Sequence, residues 1–163
     1  MGKEGLLRRA EARGIKVYIP SGAICGLDGL KAASIGRIDS VTLTTRKPPK
    51  GLEGAPYLKK NDISLCDINS ETVLFEGSAE DAVIGFPQNV NVSAVLSLAG
   101  LGAKDTRVRI IASPDYTKNI HEVEIAGDFG RITTRTENVP SKTKPKTSAL
   151  AILSAIATLE GIT

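Results

Sequence analysis

Apolar residues recur at helical spacing at the start of the chain. Leu6, Leu7 and Ala10 alternate with charged neighbours, and Gly14 provides a stop, so the pattern predicts a short amphipathic helix. Residues 15–19 then have the composition of a strand. A helix that leads into a strand, with no strand before it, is typical of the last αβ step of a parallel sheet. We therefore expect earlier strands of such a sheet to be missing.

A turn of small residues follows Pro20 and leads into a second helix. The segment 21–30 contains glycines and small side chains, and its apolar pattern continues through Ala33 and Ile35. Glycines let another group approach the backbone closely, and amides at a helix start can face a polar or anionic ligand. As a phosphate-binding signature the turn is weak, because neither GxGxxG nor GxxxxGK[ST] occurs in the chain.

The next apolar and β-branched run, residues 38–45, predicts a strand that places Arg46 and Lys47 at its end. Pro48 and Pro49 end this strand, because proline cannot donate to a sheet ladder. Residues 50–69 are rich in glycine, proline and polar side chains and predict a long loop. Loops of that length inside a compact domain are often functional.

Alternating and helical patterns divide the rest of the chain. They predict strands at 73–75, 107–112, 120–126 and 131–136, a hairpin at 127–130, a helix that begins at Ser78, a buried helix at 92–101 and a closing helix at 149–159. The expected fold class is α+β: a mixed, largely antiparallel sheet with helices packed on one face, plus an αβ step at the front of the chain and a closing helix at its end.

Composition excludes several function classes. A hydrophobic fraction of 41% and a charged fraction of 24% are ordinary for a globular protein, and the net charge of +3 is not clustered. With 4% aromatic residues the chain is a poor candidate for binding nucleic acid. No apolar run approaches a membrane span or a secretory signal, so we expect a cytoplasmic location.

The cysteines and the histidine are too few for a metal site or a disulfide framework. Cys25, Cys66 and a single histidine do not provide the ligands of a zinc site. We therefore expect no metal and two reduced thiols, and we expect Cys25 to be a small buried residue.

His121 is the only histidine, and strand alternation places it on the same face as Val123 and Ile125. A lone histidine on an apolar face is commonly a core residue. Alternatively it transfers a proton at the edge of a pocket, because the imidazole pKa is near neutral. Asn119, two residues earlier on the same face, can orient either the imidazole or a substrate.

Four other polar residues have two interpretations each. Asn89 and Asn91 precede a helix, so they can cap it or bind a carboxamide. Arg46 and Lys47 can hold a carboxylate or simply be solvated. Ser148 has no local base and lies where a helix N-cap is expected, so we do not consider it a nucleophile.

Five segments of the chain, in order, resemble the catalytic region of the L-aspartate dehydrogenase family. The resemblance spans nearly all of residues 15–160. The matching segments are YIPSGAICGLDGLKAA, VTLTTRKPP, LFEGSAEDAVIGFPQNVNVSA, NIHEVEIAGDFGRITTRTEN and KPKTSALAILSAIATL. The spacing of 30 residues from Asn91 to His121 is also the one that family shows.

That resemblance implies oxidation of L-aspartate to iminoaspartate with NAD or NADP, as a step of NAD biosynthesis. It implies that His121 is the catalytic histidine, and that Ala23 and Asn91 contact the cofactor. Arg46, Lys47 and Asn119 remain candidates for binding the substrate. A homodimer formed through the central sheet is also implied.

The resemblance further implies a domain division. Residues 1–20 are expected to be a remnant of a dinucleotide-binding (Rossmann) domain, 21–146 the catalytic and dimerisation domain, and 147–163 a closing helix that packs on the Rossmann half. The GxGxxG loop of that half is absent from this chain, so a truncated or split form is expected, with a separate Rossmann-domain chain as a partner. Lys144 also departs from the family, which has asparagine there.

Two rival functions remain open at this stage. The first is a non-catalytic dimerisation or interaction domain derived from the enzyme. The second is a related oxidoreductase of the dihydrodipicolinate reductase or homoserine dehydrogenase type, which acts on a different carbon skeleton.

Overall fold

The computed structural model describes residues 3–87, 91–142 and 147–162 of the chain. Five strands form one sheet: β1 (Ile38–Lys47), β2 (Thr72–Ser78), β3 (Thr106–Ala112), β4 (Asn119–Gly127) and β5 (Gly130–Asn138). The helices are α1 (Lys3–Glu11), α2 (Leu27–Ala33), α3 (Pro56–Lys60), α4 (Ala79–Gly85), α5 (Asn91–Ala99) and α6 (Ala149–Glu160), with 3₁₀ turns at Pro49–Leu52 and Leu65–Asp67.

The sheet is mixed, with strand order β2-β3-β1-β4-β5. β1 and β3 are parallel, and each of the other neighbouring pairs is antiparallel. The hairpin between β4 and β5 is confirmed, since Gly127 pairs with Gly130 across a two-residue loop. The α+β class with a largely antiparallel sheet is therefore as the pattern predicted.

One face of the sheet forms the core. Along β1, alternation turns Val41 and Leu43 toward helices α2, α4 and α5, and both side chains are fully buried. Leu30 of α2 and Leu96 of α5 are fully buried in the same cluster. The opposite face carries ion pairs in place of helices, for example between Arg109 and Glu76.

Two helices begin at the serine residues that the sequence predicts as helix starts. Ser78 accepts a hydrogen bond from the amide of Asp81 at the start of α4, and Ser148 accepts one from the amide of Ala151 at the start of α6. Two orphan amide groups are thereby satisfied. The assignment of Ser148 as an N-cap is thus confirmed.

Three sequence predictions near the N-terminus are wrong. Residues 15–19 form no strand and pair with none in the described part of the chain, and their apolar side chains are about half exposed. A strand needs a hydrogen-bonded neighbour, and none lies beside this segment. The second helix ends at Ala33, so Ile35 lies beyond it and is 92% exposed. Cys25 is exposed, as is Cys66, because the turn around it runs over the edge of β5.

Other elements differ in extent. The loop expected at 50–69 contains α3 and two 3₁₀ turns, whose Leu52 and Leu58 enter the core. β2 is longer than predicted, because only its central residues are apolar. The buried helix ends at Ala99, and its Leu98 is 39% exposed beside a cleft.

α1 was predicted correctly, and Leu7 and Ala10 are half-buried; the side chain of Leu6 lies outside the part described. No helix among the described residues is both long and apolar enough to cross a membrane.

Candidate active site

A cleft of about 300 Å³ opens at the end of the sheet where β1 ends and β4 begins. Its walls come from four places: the turn before α2, the start of α5, the two strand ends and the start of α6. The residues that line it include Gly22, Ala23, Lys47, Asn91, Asn119, His121 and Ala151. Residues separated by more than a hundred positions in the chain therefore share one hollow.

His121 lies in the wall of this cleft and is 4% exposed. Its Nδ1 is 3.0 Å from the hydroxyl Oγ1 of Thr45, the residue opposite it on β1. Burial, together with the nearby positive charge of Lys47, lowers the pKa of the imidazole from 6.5 to about 3. The ring is therefore neutral at physiological pH.

Lys47 and Arg46 lie on opposite faces of β1, because adjacent strand residues alternate. Lys47 lines the cleft and is 5% exposed, and burial lowers its pKa from 10.5 to about 8. Arg46 instead forms a hydrogen-bonded ion pair with Glu122 on the outer face, which Arg135 also joins. The structure thus brings Lys47 to the cleft and leaves Arg46 outside it.

The turn that carries Ala23 is held from two sides. Its Gly22 has φ +70°, a conformation that favours glycine, and the Gly22 amide donates to Oγ of Ser154 on α6 at 3.0 Å. From β5, the hydroxyl of Thr136 and the side-chain amide of Asn138 donate to the Ala23 carbonyl, at 2.9 and 3.0 Å. These contacts fix the backbone of the turn at the cleft.

Two asparagines complete the polar wall. Asn91 is the first residue of α5, and its side chain is exposed at the cleft. Asn119 begins β4, is 8% exposed and lies across from Asn138 on β5. Asn89 and Lys144, which also entered the sequence analysis, lie outside the described residues.

A larger cleft, of about 680 Å³, lies between α4, α5 and the loop before β3. Its walls are mostly apolar side chains such as Val83, Ile84 and Leu98, with Glu80 and Lys104 at the rim. The smaller cleft holds both His121 and Lys47, whose pKa values are lowered by burial. The volume favours the larger cleft as a ligand site, whereas the titratable groups favour the smaller cleft. Titratable groups with shifted pKa values are the better indicator of an active site.

A protein-family model described as "Aspartate dehydrogenase, C-terminal" matches residues 28–162, which include β1 to β5 and most of the cleft. The chain belongs to this family. The crystal structure of aspartate dehydrogenase from Thermotoga maritima has the same fold, with a TM-score of 0.78 and 32% identity over 98% of this chain and 59% of that one.

Relatives of higher identity carry the name L-aspartate dehydrogenase. The protein of Methanococcoides burtonii is 59% identical over 94% of this chain, and that of Methanosarcina barkeri is 54% identical over 98%. This aspartate dehydrogenase-family chain covers 56% and 59% of their respective lengths. It therefore spans a little over half the length of the relatives it matches.

Sequence reasoning missed four residues that shape the site of this family member: Thr45, Thr136, Asn138 and Ser154. Each acts on a residue that had been singled out, either His121 or the turn of Ala23. Strand alternation places Thr45 on the inner face with Lys47, which could have drawn attention to it. The other three depend on pairings between distant segments, which carry no local pattern.

Proposed function

We propose that this chain is the catalytic part of an NAD- or NADP-dependent enzyme that oxidises L-aspartate to iminoaspartate. The observation that supports this most strongly is the single cleft that gathers Ala23, Asn91 and His121. Membership of the aspartate dehydrogenase family supports the same reaction.

The residues of the cleft fit a nicotinamide group. Asn91 provides an amide that can pair with a carboxamide, and Gly22 has no side chain, so a planar ring can approach the backbone beside Ala23. A volume of about 300 Å³ is at the lower end for small-molecule sites, which suits a ring and a short dicarboxylate. When bound, the nicotinamide supplies hydride acceptance from the substrate Cα.

Lys47 and Asn119 are the proposed partners of the substrate. The Lys47 ammonium group is cationic at neutral pH and is buried at the cleft, where attraction to a carboxylate is stronger than in open water. Asn119 adds an amide that can donate to the same carboxylate. Arg46 has its fork occupied by Glu122, so we propose no substrate contact for it.

His121 has two possible tasks in this reaction. It either manages the proton that accompanies oxidation of the amine, or polarises a substrate carboxylate. Both need a neutral imidazole at the cleft, which burial provides.

We also propose that residues 1–20 and 147–163 face a dinucleotide-binding domain, while 21–146 form the catalytic unit. Ile15, Val17 and Tyr18 are 49–56% exposed, and Leu153 and Leu159 of α6 are at least 60% exposed. Exposed apolar residues in such numbers mark an interaction surface. The relatives contain further length beyond the matched part, which can supply the partner domain.

The finer assignments follow from family membership alone. We propose a homodimer, a cytoplasmic location and a role in NAD biosynthesis. The homodimer places the sheets of two copies together, as the family resemblance implies.

The test is a titration with NAD or NADP and L-aspartate, for the chain alone and with the unmatched segment of the Methanosarcina barkeri relative added in trans. The proposal requires saturable cofactor binding and aspartate-dependent reduction that His121→Ala abolishes. Arg46→Ala is the control, since it removes a charge outside the cleft. Absence of binding in every arrangement supports a non-catalytic interaction domain instead, and turnover of another carbon skeleton supports a related oxidoreductase.

A further inference from the structure

The buried pair formed by Thr45 and His121 determines more than the position of the imidazole. Thr45 is fully buried on β1, directly across from His121 on β4, and its Oγ1 lies 3.0 Å from Nδ1. Thr45 does not line the cleft, whereas His121 does. The hydroxyl therefore holds the ring from behind, on the side away from any substrate.

The direction of this hydrogen bond follows from what each atom needs. Among the residues that the structure describes, Nδ1 of His121 is the only partner of the Thr45 hydroxyl. If Nδ1–H donated to Oγ1, the hydroxyl proton would have no acceptor in the interior, which is unfavourable. If the hydroxyl donates to Nδ1, both the hydroxyl proton and the Nδ1 lone pair have a partner, and the ring proton lies on Nε2.

We propose that Thr45 is a positioning residue that holds His121 as the Nε2–H tautomer, so that the imidazole presents a hydrogen-bond donor to a substrate carboxylate. This inference rests on the proposed function, and it decides between the two tasks left open for His121. The histidine then polarises and orients the carboxylate, and the substrate ammonium group loses its proton to solvent water before the cleft binds the free amine.

Neighbouring groups in the cleft agree with a donor role. Lys47 brings a positive charge to the same wall, and Asn91 and Asn119 bring neutral amides. No carboxylate is among the residues that line this cleft in the described part of the chain. An N–H on the cleft side therefore adds to a set of donors suited to an anion, whereas a bare ring nitrogen would repel it.

Nitrogen-15 NMR of the imidazole tests the proposal directly. The chain has one histidine, so its two ring nitrogens give an unambiguous pair of resonances. In the folded wild-type chain we expect Nε2 at the position of a protonated nitrogen and Nδ1 at that of a hydrogen-bonded acceptor. In Thr45→Val, which keeps the shape but removes the hydroxyl, Nδ1 moves downfield toward the value of an unbonded nitrogen. Thr45→Ser restores the wild-type position.

Thr44→Val is the matched control, because Thr44 is a buried threonine of the same strand on the opposite face. It should leave both resonances in place. A protonated Nδ1 in the wild-type chain overturns the proposal, and this result needs no variant to fold. An Nδ1 resonance that is identical in Thr45→Val and the wild type overturns it as well.

Kinetics separate this inference from the proposed function. In the active assembly, Thr45→Val should lower kcat/KM for L-aspartate roughly tenfold, in the range seen for residues that orient a functional histidine, with recovery in Thr45→Ser. The tautomer is measured without cofactor or turnover. Absence of aspartate oxidation by any assembly would therefore refute the proposed function and leave the NMR result as a separate finding.

Discussion

The side-chain amide of Asn138 donates a hydrogen bond to the backbone carbonyl of Ala23 over 3.0 Å, although 115 residues separate the two. The same amide is 3.2 Å from the Thr136 hydroxyl, which itself donates to the Ala23 carbonyl. A turn proposed to bind the cofactor is thus tied to the last strand of the sheet. Its position depends on β5 as much as on its own glycines.

Replacement of Asn138 by leucine should loosen this turn. The variant keeps the branched shape of the side chain but removes a buried donor, so we expect a loss of about 1–3 kcal/mol in the free energy of unfolding. Hydrogen exchange of the amides of residues 22–26 should become faster at the same time. Thr133→Ala is the control, because Thr133 is exposed on the same strand and alternation places it on the face opposite to Asn138. Unchanged protection of the turn in Asn138→Leu would show that glycine geometry alone holds it.

Acid should destabilise the protein through His121. Its pKa is about 3 when folded and 6.5 when unfolded, so within this window the unfolded chain binds a proton that the folded chain does not. The free energy of unfolding therefore falls as pH is lowered from 6.5 toward 3, by up to about 1.4 kcal/mol per pH unit. Urea unfolding between pH 7 and 5 measures this, since Glu122 and Glu137 contribute only below their usual 4.5.

His121→Gln should have a flatter profile over that interval, because glutamine does not titrate. Equal slopes for the wild type and the variant would mean that the imidazole accepts a proton freely in the folded state. That result would also remove the basis for a neutral histidine at the cleft.

Lys47→Met should stabilise the protein at pH 7 and impair its reaction. Because burial lowers the pKa of Lys47 from 10.5 to about 8, the charged form disfavours folding below pH 8, and the penalty is relieved as pH rises toward 10.5. We expect a gain on the order of 2 kcal/mol at pH 7, measured by urea unfolding, and a higher KM for L-aspartate in the active assembly. Lys50→Met, at an exposed lysine nearby, should change neither quantity. A less stable Lys47→Met would show that burial of the ammonium group does not oppose folding.

The sheet was predictable because its strands carry local patterns. Alternation along β4 predicted that His121 and Val123 lie on one face, and the glycines at 127 and 130 predicted the hairpin. Residues 15–19 misled the same reasoning, since their composition favours a strand but pairing requires a neighbour. Strand formation is settled by tertiary contacts that composition does not contain.

The site was predictable only in part, for a related reason. His121, Ala23 and Asn91 were singled out through a family resemblance and one inward-facing position, and the fold brings these three candidates to one cleft. Arg46 and Lys47 looked equivalent as neighbours, yet strand alternation sends only Lys47 there. To tell Arg46 from Lys47 in the sequence, one would have to know where β1 ends and which of its faces is buried.

The most direct test of the shared cleft is a titration of the isolated chain with nicotinamide mononucleotide and L-aspartate, followed by NMR. This probe carries the nicotinamide without the adenosine half, so its binding depends only on the residues of this cleft. We predict that the amide signals of Ala23 and Asn91 and the imidazole signals of His121 shift together, with one common saturation curve. Shifts confined to the larger cleft, around Ala94 and Leu98, or no shift at all, would contradict the account.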